Sequence, residues 1–192
     1  MKRLGLIVFA AVLASCPLVL QAQSFSFSGG GLYASLSGSD FQGTNAGIGP
    51  ELQFRYHAAS GFSIGGGVQY TSHDVDGISE NYGVTGFFVE PRYAFQVQSS
   101  SIHPYLGARL ALLNQKIEVS GIGKVTGSGT AFGASGGILL RLASAARLDI
   151  GVTWAKVSFG DAELDGTTIP DSDASGSALA LRAAVVFQFG KK

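Results

Sequence analysis

The sequence predicts an all-β fold, an eight-stranded antiparallel up-and-down transmembrane β-barrel. Three observations carry that prediction. Eight segments alternate between an apolar register and a small or polar one. The connections between them run long, short, long, short, long, short, long. The charges that can be placed within the segments fall on the polar register, where six arginines appear and no lysine up to Trp154.

A leader precedes the first segment. Lys2 and Arg3 give a positive start, and an apolar run over 4–20 follows, broken by Ser15, Cys16 and Pro17. It ends in Leu20-Gln21-Ala22, which supplies the small residue a signal peptidase needs, so residues 1–22 read as a signal peptide and 23–192 as one barrel domain. A second reading takes Leu13-Ala14-Ser15-Cys16 as a lipobox with Cys16 lipidated; the apolar run continues past the cysteine, which favours cleavage after Ala22. Cys16 is the single cysteine, so the mature domain is expected to form no disulfide of its own and to hold no thiolate metal site. Hydrophobic residues make up 46% and charged ones only 14%, yet no run of 18 apolar residues follows the leader. A low-charge chain without spanning helices must place its apolar area by another route, and 28 glycines with 13 phenylalanines suit strands and turns. The formal charge is zero, slightly acidic once Lys2 and Arg3 are removed, and no basic stripe appears; nucleic-acid binding is excluded.

The segments follow in order. The first, 31–38 (GLYASLSG), shows the alternation least. The second, 50–58, sets Leu52, Phe54 and Tyr56 against Glu51, Gln53, Arg55 and His57. The third, 62–71, groups Phe62, Ile64, Val68 and Tyr70; the fourth, 83–95, sets Phe87, Val89, Pro91, Tyr93 and Phe95 against Phe88, Glu90 and Arg92. The fifth, 104–113, opposes Leu106, Ala108, Leu110 and Leu112 to Gly107 and Arg109. The sixth, 130–142, opposes Phe132, Ile138, Leu140 and Leu142 to Ser135 and Arg141, and the seventh, 147–157, opposes Leu148, Ile150, Val152 and Trp154 to Arg147, Asp149 and Thr153. The eighth, 177–189, puts Leu179, Leu181, Val185 and Phe187 on one face and Arg182 on the other.

Charge placement separates a barrel in lipid from a soluble sandwich. Acids collect in the long connections near 39–49, 72–82, 114–129 and 158–176, at Asp40, Asp74, Asp76, Glu80, Glu118, Asp161, Glu163, Asp165, Asp171 and Asp173. The polar register of the strands is mostly Gly, Ala and Ser punctuated by arginine, the mixture a narrow closed interior needs. Arg182 is therefore expected in the lumen, since an arginine facing lipid at mid-depth costs about 2–4 kcal/mol. With eight strands and a long first connection, both termini are expected in the periplasm. The expected lumenal ion-pair network is Glu51, Arg55, Glu90, Arg92, Arg109, Arg141, Arg147, Asp149 and Arg182, with Glu90–Arg109 and Glu51–Arg182 at matching heights. Such a network can be a gate or a static polar core; eight strands enclose room only for side chains, which favours the core.

Outward aromatics at both ends of the segments, Tyr56, Phe62, Tyr93, Phe95, Phe187 and Phe189 at one and Tyr70, Phe132 and Trp154 at the other, match interfacial girdles. Asp171-Ser-Asp173 imitates half a calcium loop, but Arg182 stands where the bidentate glutamate belongs, so a solvated turn and no metal site is expected, with weak binding of divalent cations to the acidic fourth loop as the alternative. Ser72-His73-Asp74 is no triad, because consecutive residues on an extended chain point apart. No cofactor fingerprint is present.

EPRYAF (90–95), HPYLGARLAL (103–112), FGASGGILLRL (132–142), ARLDIGVTW (146–154) and the final strand together resemble the small eight-stranded outer-membrane barrels of the OmpA transmembrane-domain and OmpX type. The resemblance implies insertion by the barrel-assembly machinery, which reads a C-terminal strand ending in an aromatic; here Gly190, Lys191 and Lys192 follow Phe189. No span after 189 is expected to hold the peptidoglycan-binding domain of larger relatives. The expected partners are outer-membrane lipid and lipopolysaccharide, with the partner of the loops unspecified. The expected role is a structural or surface-interaction barrel and not an enzyme. A narrow channel for small or hydrophobic solutes is the alternative. A lipid-modifying barrel enzyme would need a Ser and His on one strand face near the outer leaflet, and the sequence offers none.

Overall fold

The computed structural model describes residues 24–58, 61–77, 82–97, 101–119 and 123–190. The signal peptide, its cleavage after Ala22, Cys16, the loop acid Glu80 and the terminal Lys191 and Lys192 lie outside the described residues.

Ten strands follow one another: β1 (Ser24–Ser37), β2 (Gly47–His57), β3 (Phe62–His73), β4 (Tyr82–Ala94), β5 (Ile102–Val119), β6 (Gly123–Arg141), β7 (Ala146–Phe159), β8 (Glu163–Leu164), β9 (Thr167–Thr168) and β10 (Ala174–Gly190). Eight of them form one antiparallel sheet in the order β5-β4-β3-β2-β1-β10-β7-β6, and β5 pairs with β6 to close it into a barrel. The closing seam of sequence runs between β1 and β10, from Ser24 opposite Gly190 to Ser37 opposite Ser177. The pair β8–β9 is a small hairpin in the last long connection, attached to β6 at Val125 and Thr126.

The two registers divide inside from outside along every barrel strand. Leu179, Leu181, Val185 and Phe187 are exposed on the outer face, while Arg182 is 5% exposed within. The outer face is a continuous apolar surface, with aromatics gathered toward both ends. Phe25 packs against Phe54 and Tyr56, and Tyr93 meets Phe95 edge-on, at the end that carries the short turns. Trp154, Tyr70 and Phe132 stand outward nearer the long-loop end, where Lys156 lies over the Trp154 ring.

The largest departures from the expected strand limits fall in β1 and in the β5–β6 pair. β1 begins at Ser24, not at 31, because Ser24-Phe25-Ser26-Phe27-Ser28 alternates before Gly29-Gly30-Gly31 interrupts the pattern. Gly30 is needed there: a Cβ would run into the Ala183 carbonyl and Ala184 across the seam. The expected third loop, 114–129, is mostly strand. β5 and β6 stay paired out to Val119 opposite Gly123, far beyond the apolar surface. The outward face of that projection is polar, with Asn114, Lys116 and Glu118 against Lys124, Thr126 and Ser128, while the inward register carries Gln115 and the facing pair Ile117 and Val125. The outward register loses its apolar run at Asn114, and with it the signal that marks a strand in lipid.

Candidate functional site

The interior has three strata, each built from inward positions of successive strands. The middle one is a charged layer. Glu51 on β2 accepts from Arg109 Nη2 on β5 at 2.5 Å and from Arg182 Nη1 on β10 at 3.2 Å. Glu90 on β4 is 0% exposed. It is gripped bidentately by Arg92, Nε at 2.9 Å and Nη2 at 3.0 Å. It also accepts from Ser135 Oγ at 2.6 Å and Gln53 Nε2 at 3.2 Å. Arg182 and Arg55 lie slightly farther from it, at 3.4 and 3.5 Å. Asp149 on β7 accepts from Arg92 Nη1 and from the Tyr105 hydroxyl, each at 2.8 Å. The Tyr105 oxygen in turn accepts from Arg182 Nη2 at 2.7 Å.

Four guanidiniums thus share three carboxylates across the barrel, all of them buried. Isolated, each ion would cost several kcal/mol to bury; bidentate and charge-assisted bonds offset that cost only when every acceptor is taken. Aromatic rings complete the solvation: Arg92 lies 4.3 Å from the Tyr105 centroid and Arg109 3.5 Å from that of Phe88. Gly151 makes the room, since a Cβ there would strike the Tyr105 hydroxyl and crowd Arg182.

The sequence-expected residues divide accordingly. Glu51 and Arg182 meet as their heights indicate. Glu90 and Arg109 stand level, between Val89 opposite Leu110 and Arg92 opposite Gly107, but Arg109 turns to Glu51 instead. The reason is local: Arg92, two residues along on the same face, fills Glu90 first. Arg55 bonds Ser63 Oγ and the Glu90 carbonyl besides its ion pair. Arg141 and Arg147 are not in the layer; they sit on the inward register at the short-turn end, directly opposite each other, with Arg141 exposed. Tyr105, Gln53, Ser135 and Phe88 were not singled out from the sequence as members. Their inward parity was the available signal, and for Tyr105 so was the pair of glycines, Gly137 and Gly151, that it overlies.

Toward the long loops the lumen turns apolar. Val84, Phe88, Ala111, Leu113, Val157 and Phe159 form a core cluster, closed by Phe41 from the 3₁₀ turn Ser39–Phe41 of the first long loop. Phe41 meets Phe159 edge-on at 6.3 Å. A cavity of about 70 Å³ remains among alanines of this stratum and reaches Arg109. His73 is not a loop residue: it ends β3, buried, with Nε2 on Thr71 Oγ1 at 2.9 Å and Nδ1 on the Asn45 carbonyl at 3.0 Å. The first long loop is further held by the Thr44–Val75 bridge and by Asp40 Oδ2, which accepts from the Ser175 amide at 2.8 Å. That amide and the Ser39 hydroxyl hold the Asp40 carboxyl below the usual aspartate range.

Toward the short turns the lumen widens into a polar vestibule of about 220 Å³, walled by Ser24, Ser26 and Ser28 of β1 and by Arg55, His57 and Arg147. Among the described residues no group of three or more His, Cys, Asp or Glu side chains is placed to hold a metal ion.

A family model described as outer membrane protein beta-barrel domain matches residues 7–187. Among solved structures, neisserial surface protein A (NspA) is similar with a TM-score of 0.62 at 20% identity, over 87% of this chain and 97% of that one. Ail, the attachment invasion locus protein of Yersinia pestis, gives 0.57 at 12% identity over 88% and 100%. OprG from Pseudomonas aeruginosa gives 0.55 at 15% identity over 88% and 97%. At such identities the likeness is one of fold. No curated protein matches the chain.

Proposed function

The chain belongs to the outer membrane protein β-barrel domain family, and from that premise we propose that it is a structural and surface-interaction barrel of the bacterial outer membrane rather than a pore. The observation that carries this reading is the charged layer: at mid-barrel Glu51, Glu90 and Asp149 are each engaged by buried arginines, the side-chain filling expected of eight strands. The termini and short turns lie in the periplasm, and the acidic long loops face outward among lipopolysaccharide. Two structural neighbours, a surface protein and an attachment invasion locus protein, support a surface role. With Asp161, Glu163, Asp165, Asp171 and Asp173 in the last long connection, the surface presented suits a cationic partner. No catalytic role is proposed: Ser72 and His73 occupy opposite faces of β3.

Two measurements test this. The refolded protein in planar bilayers is expected to give no steady conductance; an open wild-type pore closed by no layer would overturn the plugged-barrel reading. A single cysteine at Ser172 is expected to react with a membrane-impermeant maleimide on intact cells. Labelling only after the outer membrane is permeabilised would reverse the orientation. The apolar cavity beneath Phe41 favours a second reading, passage of small hydrophobic solutes. That reading predicts faster uptake of an apolar probe by the Phe41→Ala variant, whereas a static core predicts none.

A further inference from the structure

We propose that the vestibule at the short-turn end is a binding site for a phosphate group. The cavity is of a size to hold one with attendant water, about 220 Å³. Its charge is one-sided. Arg55, Arg92 and Arg147 line it, and among the described lining residues Asp149 is the single acid. That acid is already committed to Arg92, Tyr105 and Arg182. The three short connections bring no relief, since 58–61, 95–101 and 142–145 contain no Asp or Glu.

Arg147 poses the sharper problem. It stands directly opposite Arg141 in the β6–β7 ladder, and neither side chain has an ion pair among the described residues. Like charges directly opposite on a ladder destabilise it. Of the two, Arg147 lines the cavity; a divalent oxyanion seated there supplies the counter-charge it lacks, and the guanidinium fork matches its oxygens. Further donors converge from the facing wall. Gln188 Nε2 donates to Ser24 Oγ at 2.8 Å, which leaves the Ser24 proton free to donate into the cavity. Arg55 Nη2 is held only by Glu90 at 3.5 Å. A tetrahedral anion accepts from several sides at once, which suits cations on β2 and β7 with a hydroxyl on β1.

The phosphate can belong to a soluble compound or to a phospholipid headgroup at the barrel rim, and two arms separate these sources. In the first, the full barrel in a non-ionic, phosphate-free detergent is titrated with inorganic phosphate at constant ionic strength set by chloride. Saturable one-to-one binding is expected. Arg147→Gln should weaken it by about tenfold, and Lys116→Gln, on the far projection, should leave it unchanged. Heat-modified gel mobility verifies that each variant is folded, and Arg147→Lys should recover part of the affinity. In the second arm, nanodiscs of phosphatidylglycerol without free phosphate are observed by ³¹P NMR. A distinct immobilised headgroup signal that Arg147→Gln removes assigns the lipid as the source. Binding in the first arm alone assigns a soluble phosphate compound. Binding in neither, or binding that Arg147→Gln does not alter, overturns the proposal.

Discussion

The two halves of the lumen are filled on opposite principles. At mid-barrel the inward side chains are mostly charged or polar, with partners fixed by geometry: Glu90 alone accepts from Arg92, Ser135 and Gln53. A turn higher, the same inward register carries Leu32, Ala34, Val84, Leu113, Val157 and Phe159, which need only volume and shape. The charged half is specified by pairing and tolerates no missing acceptor. The apolar half is specified by packing and already tolerates a void. The two principles thus meet in adjoining layers of one tube, with Arg109 as the boundary, its guanidinium bonded to Glu51 and its face on Phe88.

Substitutions that break this comparison should rank clearly. The largest loss is expected for Glu90→Ala, which strands Arg92 and deprives Arg55 and Arg182; unfolding by urea in lipid should show a cost of about 3–5 kcal/mol. Arg109→Met is expected to cost clearly less, because Glu51 keeps Arg182 and four cations become three for three acids. Equal costs for the two would mean that the layer is not held by its carboxylates. In the apolar half, Leu113→Ala should cost about 2–3 kcal/mol through lost burial and an enlarged cavity. Ala131→Val, which fills space, should change stability by less than about 1.5 kcal/mol. The smallest effect belongs to Asp40. Its carboxyl is held below the ordinary range by the Ser175 amide, so the latch is present above the unfolded value and lost as pH falls through the lowered folded one. The Ser175 amide resonance should titrate there, and Asp40→Ala should abolish the titration without unfolding the barrel.

Much of this was legible in the residues. Period-two alternation assigned every inward and outward side chain singled out in the segments correctly, because a one-residue slip would turn Arg182 to the outside and Leu181 within. What escaped had physical reasons. Ser24 to Ser28 alternates, but three glycines erase the pattern before Leu32. The β5–β6 projection loses its outward apolar register at Asn114. Within the layer, height along the strand located Glu51 and Arg182, yet could not foresee that Arg92 would outcompete Arg109 for Glu90, since reach and same-face neighbours decide among several acceptors. The apolar upper stratum was written in Leu32, Ala34, Val84, Phe88, Leu113 and Val157, all inward by parity. It was obscured by the expectation that an interior carrying arginines is polar throughout.

The seam between β1 and β10 joins residues separated by nearly the whole described chain, Ser24 to Gly190. Closure therefore waits on β10, and a product without it cannot satisfy the backbone groups of β1 and β7 in hydrocarbon. Assembly of this molecule is bound to be all-or-none: a chain without the seventeen residues Ala174–Gly190 forfeits the entire cylinder, not one-eighth of it.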